Sequence, residues 1–180
     1  LKGMKMRFFG LGARVMDKLG VATQLLAPGD IFQALQLGTI DATEFAMPVM
    51  DESFGFYQVA KYYYFPGWHQ QSTFLELLMN RAKWDALTPT QQAQIEATCG
   101  DNVRAGLAEG EALQMEALAT LEARGVMFHR WPPEILDALQ SAWQDVANEI
   151  SSRNNSFAKV WGSFSDFLKR YETWRALGYL

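Results

Sequence analysis

The chain has 180 residues, of which 49% are hydrophobic and 20% charged, so its composition is that of a folded protein with a sizeable core. Its net charge of −4, with Lys and Arg scattered along the sequence, argues against nucleic acid as the main partner. The single cysteine, Cys99, excludes an internal disulfide framework. A transmembrane helix is not predicted, because the sequence has no run of about 18 apolar residues.

The first part of the chain alternates short strands with short helices. Alternating polarity predicts the strands, and glycines or a Pro-Gly turn separate them from the helices. The predicted elements are a strand over residues 4–9, a helix over 13–19, a strand over 21–26, a helix over 31–37 and a strand over 39–45. Asp30 is the expected N-cap of the second helix, and Gly20 and Gly38 are expected to end the two helices. This order is typical of βαβ units in a parallel sheet.

The second part of the chain is predicted to be mostly helical, because it is rich in Ala, Leu, Glu and Gln. The predicted elements are a helix over residues 48–63, a strand over 72–80, a helix over 89–123, a strand over 126–131 and helices over 134–153 and 156–177. Thr88 and Pro89 are expected to start the long helix, and Gly125 to end it. The last helix carries apolar residues at the spacing i, i+3, i+4, i+7, which gives it a broad apolar stripe.

Arg7 and Glu44 are expected at the carboxyl ends of predicted strands. Ligands of parallel sheets bind outside these ends, and a guanidinium recognises a carboxylate through two parallel hydrogen bonds. From the residues alone, a surface arginine at a strand end is the better interpretation of Arg7, and Glu44 is equally compatible with a solvated charge on an edge strand.

The aromatic segment over residues 54–70 permits more than one interpretation. Most of its rings are expected to pack in the core, with one or two lining a cleft. His69 suits acid–base chemistry near neutral pH, but no Ser, Cys or Asp in a recognisable triad order accompanies it. An enzyme that acts on small carboxylic acids with His69 and Glu44 is therefore the alternative to a binding protein. A purely structural helical module is a third interpretation, against which the strand-rich first half argues.

Four segments match a known family in their order and spacing. They are Leu-Lys-Gly-x-Lys-x-Arg at residues 1–7, Val-Met-x-Lys-Leu-Gly at 15–20, Gly-Asp-Ile-Phe-x-Ala-Leu-Gln-x-Gly-x-Ile-Asp-Ala-Thr-Glu at 29–44 and Phe-Gly-Phe-Tyr-x-Val-Ala-Lys-Tyr-Tyr-Tyr-x-Pro-Gly-Trp-His at 54–69. Together they resemble the extracytoplasmic solute-binding proteins of TRAP transporters, in particular the branch that binds 2-oxo acids and other small monocarboxylates. The resemblance runs through the whole chain and is strongest over residues 1–80.

The resemblance implies an α/β fold of the periplasmic-binding-protein type (type II-like), with two lobes around a cleft. Family members are longer, so the chain is expected to be a C-terminal part, with most of the N-terminal lobe outside it. Residues 1–44 would form an α/β segment of the second lobe, and 45–80 would cross into the first lobe. Residues 81–180 would return to the second lobe and form the long C-terminal helices.

The resemblance also implies a ligand site. Arg7 matches the arginine that clamps the ligand carboxylate, and Glu44 matches a carboxylate that helps hold a cation, Na⁺ or Ca²⁺, between protein and ligand. Phe45 stands where that branch often has Trp, so its backbone carbonyl would face the cation and its ring would cover the ligand. Gln70 stands where the branch often has Glu, a departure that removes one negative charge and keeps an oxygen ligand. Neither an organic cofactor nor a catalytic residue is implied.

The function implied by the resemblance is transport. A periplasmic binding protein, not an enzyme, would capture a small carboxylate such as pyruvate or a lactate-like acid and deliver it to the TRAP membrane permease. The last helix resembles one that in some members packs on, or swaps into, a neighbouring subunit, so a homodimer is expected.

Overall fold

The computed structural model of the chain describes residues 1–70, 73 and 75–178. The elements are, in chain order, β1 (Lys5–Arg7), α1 (Gly10–Lys18), β2 (Ala22–Gln24), α2 (Pro28–Gln36), β3 (Ala42–Thr43), α3 (Pro48–Ser53), a 3-10 turn (Phe56–Gln58), β4 (Tyr62–Phe65), α4 (Arg81–Asp85), α5 (Pro89–Ala123), β5 (Met127–Arg130), α6 (Pro133–Arg153) and α7 (Asn155–Gly178). The predicted α/β class is confirmed. None of the described helices combines the length and the apolar character that crossing a membrane requires.

The contacts divide the chain into two compact units. The first unit contains Leu1–Ala27, Ile40–Glu44 and the residues from Trp131 onward, and the second contains Pro28–Thr39 and Phe45–Arg130. One boundary between the units therefore falls between Glu44 and Phe45, where the predicted crossing segment also begins. The assignment of residues to the two lobes of a larger protein stays a prediction.

The first unit is built on a three-stranded parallel sheet in the order β2-β1-β3, as the βαβ pattern predicted. Arg7 at the end of β1 pairs with Gln24 on one side and Thr43 on the other. Helix α1 packs against α6, and α6 packs against α7. Apolar side chains that flank the strands, together with those of α1 and α6, form the core, and they are Phe8, Val15, Met16, Val21, Ile40, Leu139, Ala142, Val146 and Ala147. Their removal from water is the main stabilising contribution in this unit.

The second unit combines the long helix α5 with a two-stranded parallel sheet, β4-β5. The register of this sheet runs from Tyr62 opposite Met127 to Phe65 opposite Arg130. Helix α5 starts at a capping box, in which the Gln91 N–H donates to Thr88 Oγ1 (3.3 Å) and the Thr88 N–H donates to Gln91 Oε1 (2.9 Å). The predicted start of this helix at Thr88 and Pro89 is confirmed.

The predicted helix over residues 48–63 is wrong beyond Ser53, where α3 ends. Gly55 has a φ of +73°, a left-handed conformation that ends the helix, and a 3-10 turn follows. Residues 62–65 then form strand β4, which the sequence interpretation placed partly in a helix. Three tyrosines and a phenylalanine in succession favour a strand once a partner is available, and β5 supplies that partner.

The predicted strand over residues 72–80 is wrong for the residues that the structure describes there, 73 and 75–80, because they belong to no strand or helix. Ser72 and Phe74 lie outside the described residues. A strand needs a hydrogen-bonded neighbour, and none of the described strands pairs with this segment. Helix α4, which the sequence interpretation missed, follows it, and the Asn80 side chain caps α4 by accepting from the Lys83 N–H.

The N-cap predicted at Asp30 is also wrong, because α2 already begins at Pro28 and Asp30 lies in its first turn. Proline suits the first helical position, where its missing N–H has no intrahelical partner to lose. The helix ends predicted at glycines are confirmed, since Gly20, Gly38 and Gly125 all have positive φ angles just beyond α1, α2 and α5.

Candidate functional site

Arg7 is a buried arginine at the carboxyl end of β1, with 8% of its side chain exposed. Its Nη1 donates a hydrogen bond to the backbone carbonyl of Glu44 (2.6 Å) and lies 3.3 Å from Glu44 Oε2. The Glu44 N–H in turn donates to the Arg7 carbonyl (3.0 Å). Main-chain and side-chain contacts therefore join the two residues that the sequence placed at strand ends.

The local sequence explains how β3 brings Glu44 beside Arg7. Asp41 exchanges two hydrogen bonds with Lys5, because its N–H donates to the Lys5 carbonyl and its carboxylate accepts from the Lys5 N–H, both at 2.8 Å. Thr43 Oγ1 donates to the Glu44 carbonyl (2.9 Å). These bonds hold the short strand in register, so the residue after it lies at the same sheet edge as Arg7.

Within this pair, the guanidinium of Arg7 is the group that can bind an anion. A buried guanidinium is costly without a counter-charge, and Glu44, with 22% of its side chain exposed, supplies one. Because the surroundings are partly desolvated, each charged contact is stronger there than on the open surface. A ligand carboxylate at this edge would meet a positive group that the fold holds in place.

Phe45 belongs to the second unit and packs in a phenylalanine cluster formed by Phe45, Phe54 and Phe56. Its ring meets Phe54 edge-on at a centroid distance of 4.9 Å and Phe56 edge-on at 5.5 Å. Phe56 is buried and anchors the cluster. The ring of Phe45 is thus held by packing, in an arrangement that aromatic quadrupoles favour.

Gln70 also belongs to the second unit, in the segment that follows β4. Its Nε2 donates to Thr73 Oγ1 (2.5 Å), which orients the amide and leaves Oε1 as the atom suited to a cation. The neighbouring His69 is half-buried, with its ring 4.9 Å from that of Trp68, and burial lowers the pKa of its imidazole. His69 is therefore neutral at physiological pH.

Sequence reasoning missed a buried acid in the second unit. Asp51 on α3 is 9% exposed, and its carboxylate accepts a hydrogen bond from the Tyr63 O–H (2.5 Å). Burial raises the pKa of Asp51 to about 6, although hydrogen bonds from Tyr63 and the Ala46 N–H act in the opposite direction. Burial, and the charge of Asp51, also raise the pKa of Tyr63. The polar run around Asp51 predicts an exposed helix face, so only the packing reveals the pair.

Two open grooves among the described residues are lined by other side chains. No three His, Cys, Asp or Glu side chains of the described part of the chain gather closely enough to hold a metal. An open groove of about 630 Å³ lies along α7, and another of about 420 Å³ lies between residues 77–84 and α5. Arg7, Glu44, Phe45 and Gln70 line neither groove.

Comparison with known proteins places the chain in a family. Residues 1–154 match the model of the bacterial extracellular solute-binding proteins, family 7. A monocarboxylate 2-oxoacid-binding periplasmic protein of Nostoc sp. is 35% identical over 180 residues, which are 100% of this chain and 50% of that protein.

Solved structures agree with the sequence match. A TRAP transporter solute-binding protein of Bordetella bronchiseptica RB50, a mixed-occupancy dimer with calcium and picolinate bound, superposes with a TM-score of 0.89 at 38% identity, over 98% of this chain and 53% of that one. A TRAP periplasmic solute-binding protein of Pseudoalteromonas atlantica T6c with sodium and pyruvate gives a TM-score of 0.84 at 25% identity, over 97% and 53%. The predicted periplasmic-binding-protein fold is thus confirmed.

These matches cover nearly all of this chain but only part of each relative. The chain spans about half the length of the proteins that it matches. The family match covers most of the chain, and it is supported by the order of the motifs and by the fold. The chain belongs to the family of bacterial extracellular solute-binding proteins, family 7.

Proposed function

We propose that the chain is the C-terminal part of the solute-binding protein of a TRAP transporter, which captures a small carboxylate through Arg7. The observation that carries this proposal is the buried Arg7 guanidinium at the carboxyl end of a parallel strand, in contact with Glu44. An arginine there offers a planar set of donors for a carboxylate, and lysine would not reproduce that geometry.

The proposed ligand is a 2-oxo acid such as pyruvate, or a lactate-like acid. The Nostoc relative is named for 2-oxoacids, and the two structural neighbours hold pyruvate and picolinate. Both ligands carry a carboxylate beside a second atom that can bind a cation. The phenylalanine cluster supports a compact ligand, because the ring of Phe45 is already packed against two other rings.

A bridging cation, Na⁺ or Ca²⁺, fits the chemistry of the residues proposed to hold it. These donors are the Glu44 carboxylate, the Phe45 carbonyl and the Gln70 amide oxygen, all of them hard oxygen ligands. The hydrogen bond from Gln70 to Thr73 supports this choice, since it commits the amide nitrogen and leaves the oxygen for a cation. When bound, the cation would offset the negative charges of Glu44 and the ligand. With one carboxylate in the set, Na⁺ is a plausible alternative to Ca²⁺.

The proposed lobe assignment places residues 1–44 and 81–180 in the second lobe and lets residues 45–80 contribute to the first. The β4-β5 sheet supports a contribution to a larger lobe, because parallel sheets are normally covered on both faces. One face of this sheet is exposed in the described chain, with Tyr62, Tyr64, Met127 and His129 on it.

The proposed protein partners are the TRAP membrane permease and a second copy of the chain, in the periplasm. Helix α7 supports the dimer, since none of its described residues is buried and it exposes Val160, Phe164, Phe167 and Trp174. The Bordetella neighbour was crystallised as a dimer. An apolar stripe of this length is unusual on a surface that meets only water.

The enzyme alternative, with His69 and Glu44 as base and acid, gains no support from the relatives, which are binding proteins. The packing of His69 on Trp68 and its lowered pKa instead favour a role in the wall of the site. The proposed protein therefore binds and releases its ligand unchanged.

Calorimetric titration of the full-length protein with pyruvate, in the presence of Na⁺ or Ca²⁺, tests the proposal. Saturating pyruvate at about 100 times its Kd should also stabilise the fold by about 2.7 kcal/mol, visible as a raised melting temperature. Arg7→Ala should abolish both effects, whereas Arg104→Ala, which removes an exposed arginine, should leave them unchanged. Binding that survives Arg7→Ala with unaltered affinity would overturn the proposal.

A further inference from the structure

We infer that Asp51 and Tyr63 are positioning residues, which hold together the two segments that carry Phe45 and Gln70. The inference rests on the proposed function, because it gives these segments a task in cation and carboxylate binding. It concerns the second unit alone, to which all four residues belong.

The first segment runs from Phe45 through α3 to the 3-10 turn. Helix α3 begins at Pro48, and the Asp51 N–H donates to the carbonyl of Met47, two residues after Phe45 (3.1 Å). Beyond the helix, Phe54 and Phe56 supply the rings that pack on Phe45. The position of α3 therefore decides where the ring and the carbonyl of Phe45 lie.

The second segment is strand β4 with the residues that follow it. The ring of Tyr63 packs against Phe65 (4.7 Å) and Phe128 (6.0 Å), and β4 is paired with β5 along its whole length. The strand ends at Phe65, and Gln70 lies shortly beyond it. A displacement of β4 would therefore displace Gln70.

The hydrogen bond from Tyr63 to Asp51 connects these two segments. Tyr63 and Asp51 are only 12 positions apart in the sequence, yet their hydrogen bond joins a strand to a helix in a partly buried environment. A directional bond of 2.5 Å sets one distance between α3 and β4, whereas apolar contacts of similar area would let them slide.

The cost of burying Asp51 supports a task beyond stability. Desolvation disfavours a buried carboxylate, and apolar residues of similar volume would pack there without that cost. Helix α3 already has other anchors, since the Val49 N–H donates to Gln114 Oε1 of α5 (3.1 Å) and Phe56 is buried. What the Asp51–Tyr63 pair adds is a defined distance between the segment of Phe45 and the segment of Gln70.

Pyruvate affinity in the full-length protein, at saturating Na⁺ and at saturating Ca²⁺, tests the inference in Tyr63→Phe with Tyr62→Phe as its control. Both changes remove one hydroxyl from β4, but successive side chains of a strand point to opposite faces, so only the Tyr63 hydroxyl lies on the face of Asp51. We expect Tyr63→Phe to weaken pyruvate binding about fivefold, the typical effect of one hydrogen bond, and Tyr62→Phe to match the wild type. In a Gln70→Ala background, Tyr63→Phe should have almost no further effect, because its effect passes through Gln70.

A second pair of variants covers the case in which Tyr63→Phe is poorly folded. Asp51→Asn keeps an acceptor for the Tyr63 hydroxyl and should retain most of the affinity, whereas Asp51→Leu should lose about as much as Tyr63→Phe.

The outcomes are distinguishable. If Tyr63→Phe and Asp51→Leu lower the melting temperature but bind pyruvate like the wild type, the pair is structural only and the inference is overturned. An effect of Tyr63→Phe that adds fully to that of Gln70→Ala overturns it as well. If the folded wild type binds no pyruvate with either cation, the proposed function itself fails and the inference falls with it.

Discussion

Each of the two units buries one ionisable side chain among the described residues, and the two burials differ in kind. Arg7 in the first unit lies at the carboxyl end of β1 with a partly exposed counter-charge, Glu44. Asp51 in the second unit lies inside the packing and receives a hydrogen bond from a neutral tyrosine. The first arrangement keeps a charge available to a ligand, whereas the second holds two structural elements at a defined distance.

Burial of an ionisable side chain does not by itself identify a ligand-binding residue. Both side chains are nearly inaccessible, but only Arg7 lies at the carboxyl end of parallel strands, where ligands of such sheets bind. The partner also matters, because Glu44 offers Arg7 a counter-charge, whereas Tyr63 offers Asp51 only a hydrogen bond.

Replacing Arg7 should remove function without removing the fold. Arg7→Ala deletes the guanidinium that is proposed to hold the ligand carboxylate, a loss of about 3 kcal/mol or more, which is at least about 100-fold in Kd. Circular dichroism should remain that of a folded α/β protein. Arg7→Lys should recover only part of the affinity in titration calorimetry, and full recovery would contradict the need for a planar guanidinium.

Asp51 should make the stability of the chain depend on pH. Its pKa is about 6 in the folded protein against an ordinary 3.8, so the folded state binds this proton more tightly than the unfolded state. This tighter proton binding stabilises the folded state by about 3 kcal/mol below pH 3.8. The stabilisation is lost as the pH rises through about 6.

Urea unfolding between pH 4 and 8 measures this dependence, with Asp51→Asn as the comparison. The variant should lack the decline that the wild type shows over that range, because an amide does not titrate. Identical slopes in the two proteins would show that Asp51 keeps an ordinary pKa.

Replacing Glu44 should lower the affinity for the cation more than it lowers the stability of the fold. Glu44→Gln keeps an oxygen beside Arg7 but removes the one carboxylate of the proposed cation set, so cation affinity should fall about tenfold, or about 1.4 kcal/mol. Glu149→Gln, which changes an exposed carboxylate of the same unit, is the matched control. Equal cation titrations for the two variants, followed through pyruvate binding, would remove Glu44 from the set.

A cap variant should separate stability from binding. Thr88→Ala removes the capping box of α5 in the second unit and should cost about 1 kcal/mol of unfolding free energy in urea titrations. Pyruvate affinity should stay unchanged, because α5 contributes none of the proposed ligands. A parallel loss of affinity would indicate that binding follows the general stability of the second unit. Arg7 and Asp51 would then not be distinguished by a binding role and a positioning role.

Local signals in the sequence determined the parallel sheet of the first unit and several helix ends. Alternating polarity and glycine punctuation predicted the three parallel strands, and with them the positions of Arg7 and Glu44 at strand ends. The start of α5 at Thr88-Pro89 and the helix ends before Gly20, Gly38 and Gly125 follow from capping and left-handed backbone. Each of these depends on residues a few positions apart, so one sequence suffices to predict it.

Tertiary structure alone decided where distant segments meet. Strand β4 exists because residues 62–65 pair with residues 127–130, more than sixty positions later, and no neighbouring segment of the sequence supplies that partner. Asp51 sits in a polar run that predicts solvent exposure, and only the tertiary packing, in which α3 contacts α5, buries it and gives it Tyr63 as a partner. Strand pairing and burial are non-local properties, since they depend on which surfaces are brought together, and no short segment of sequence contains that information.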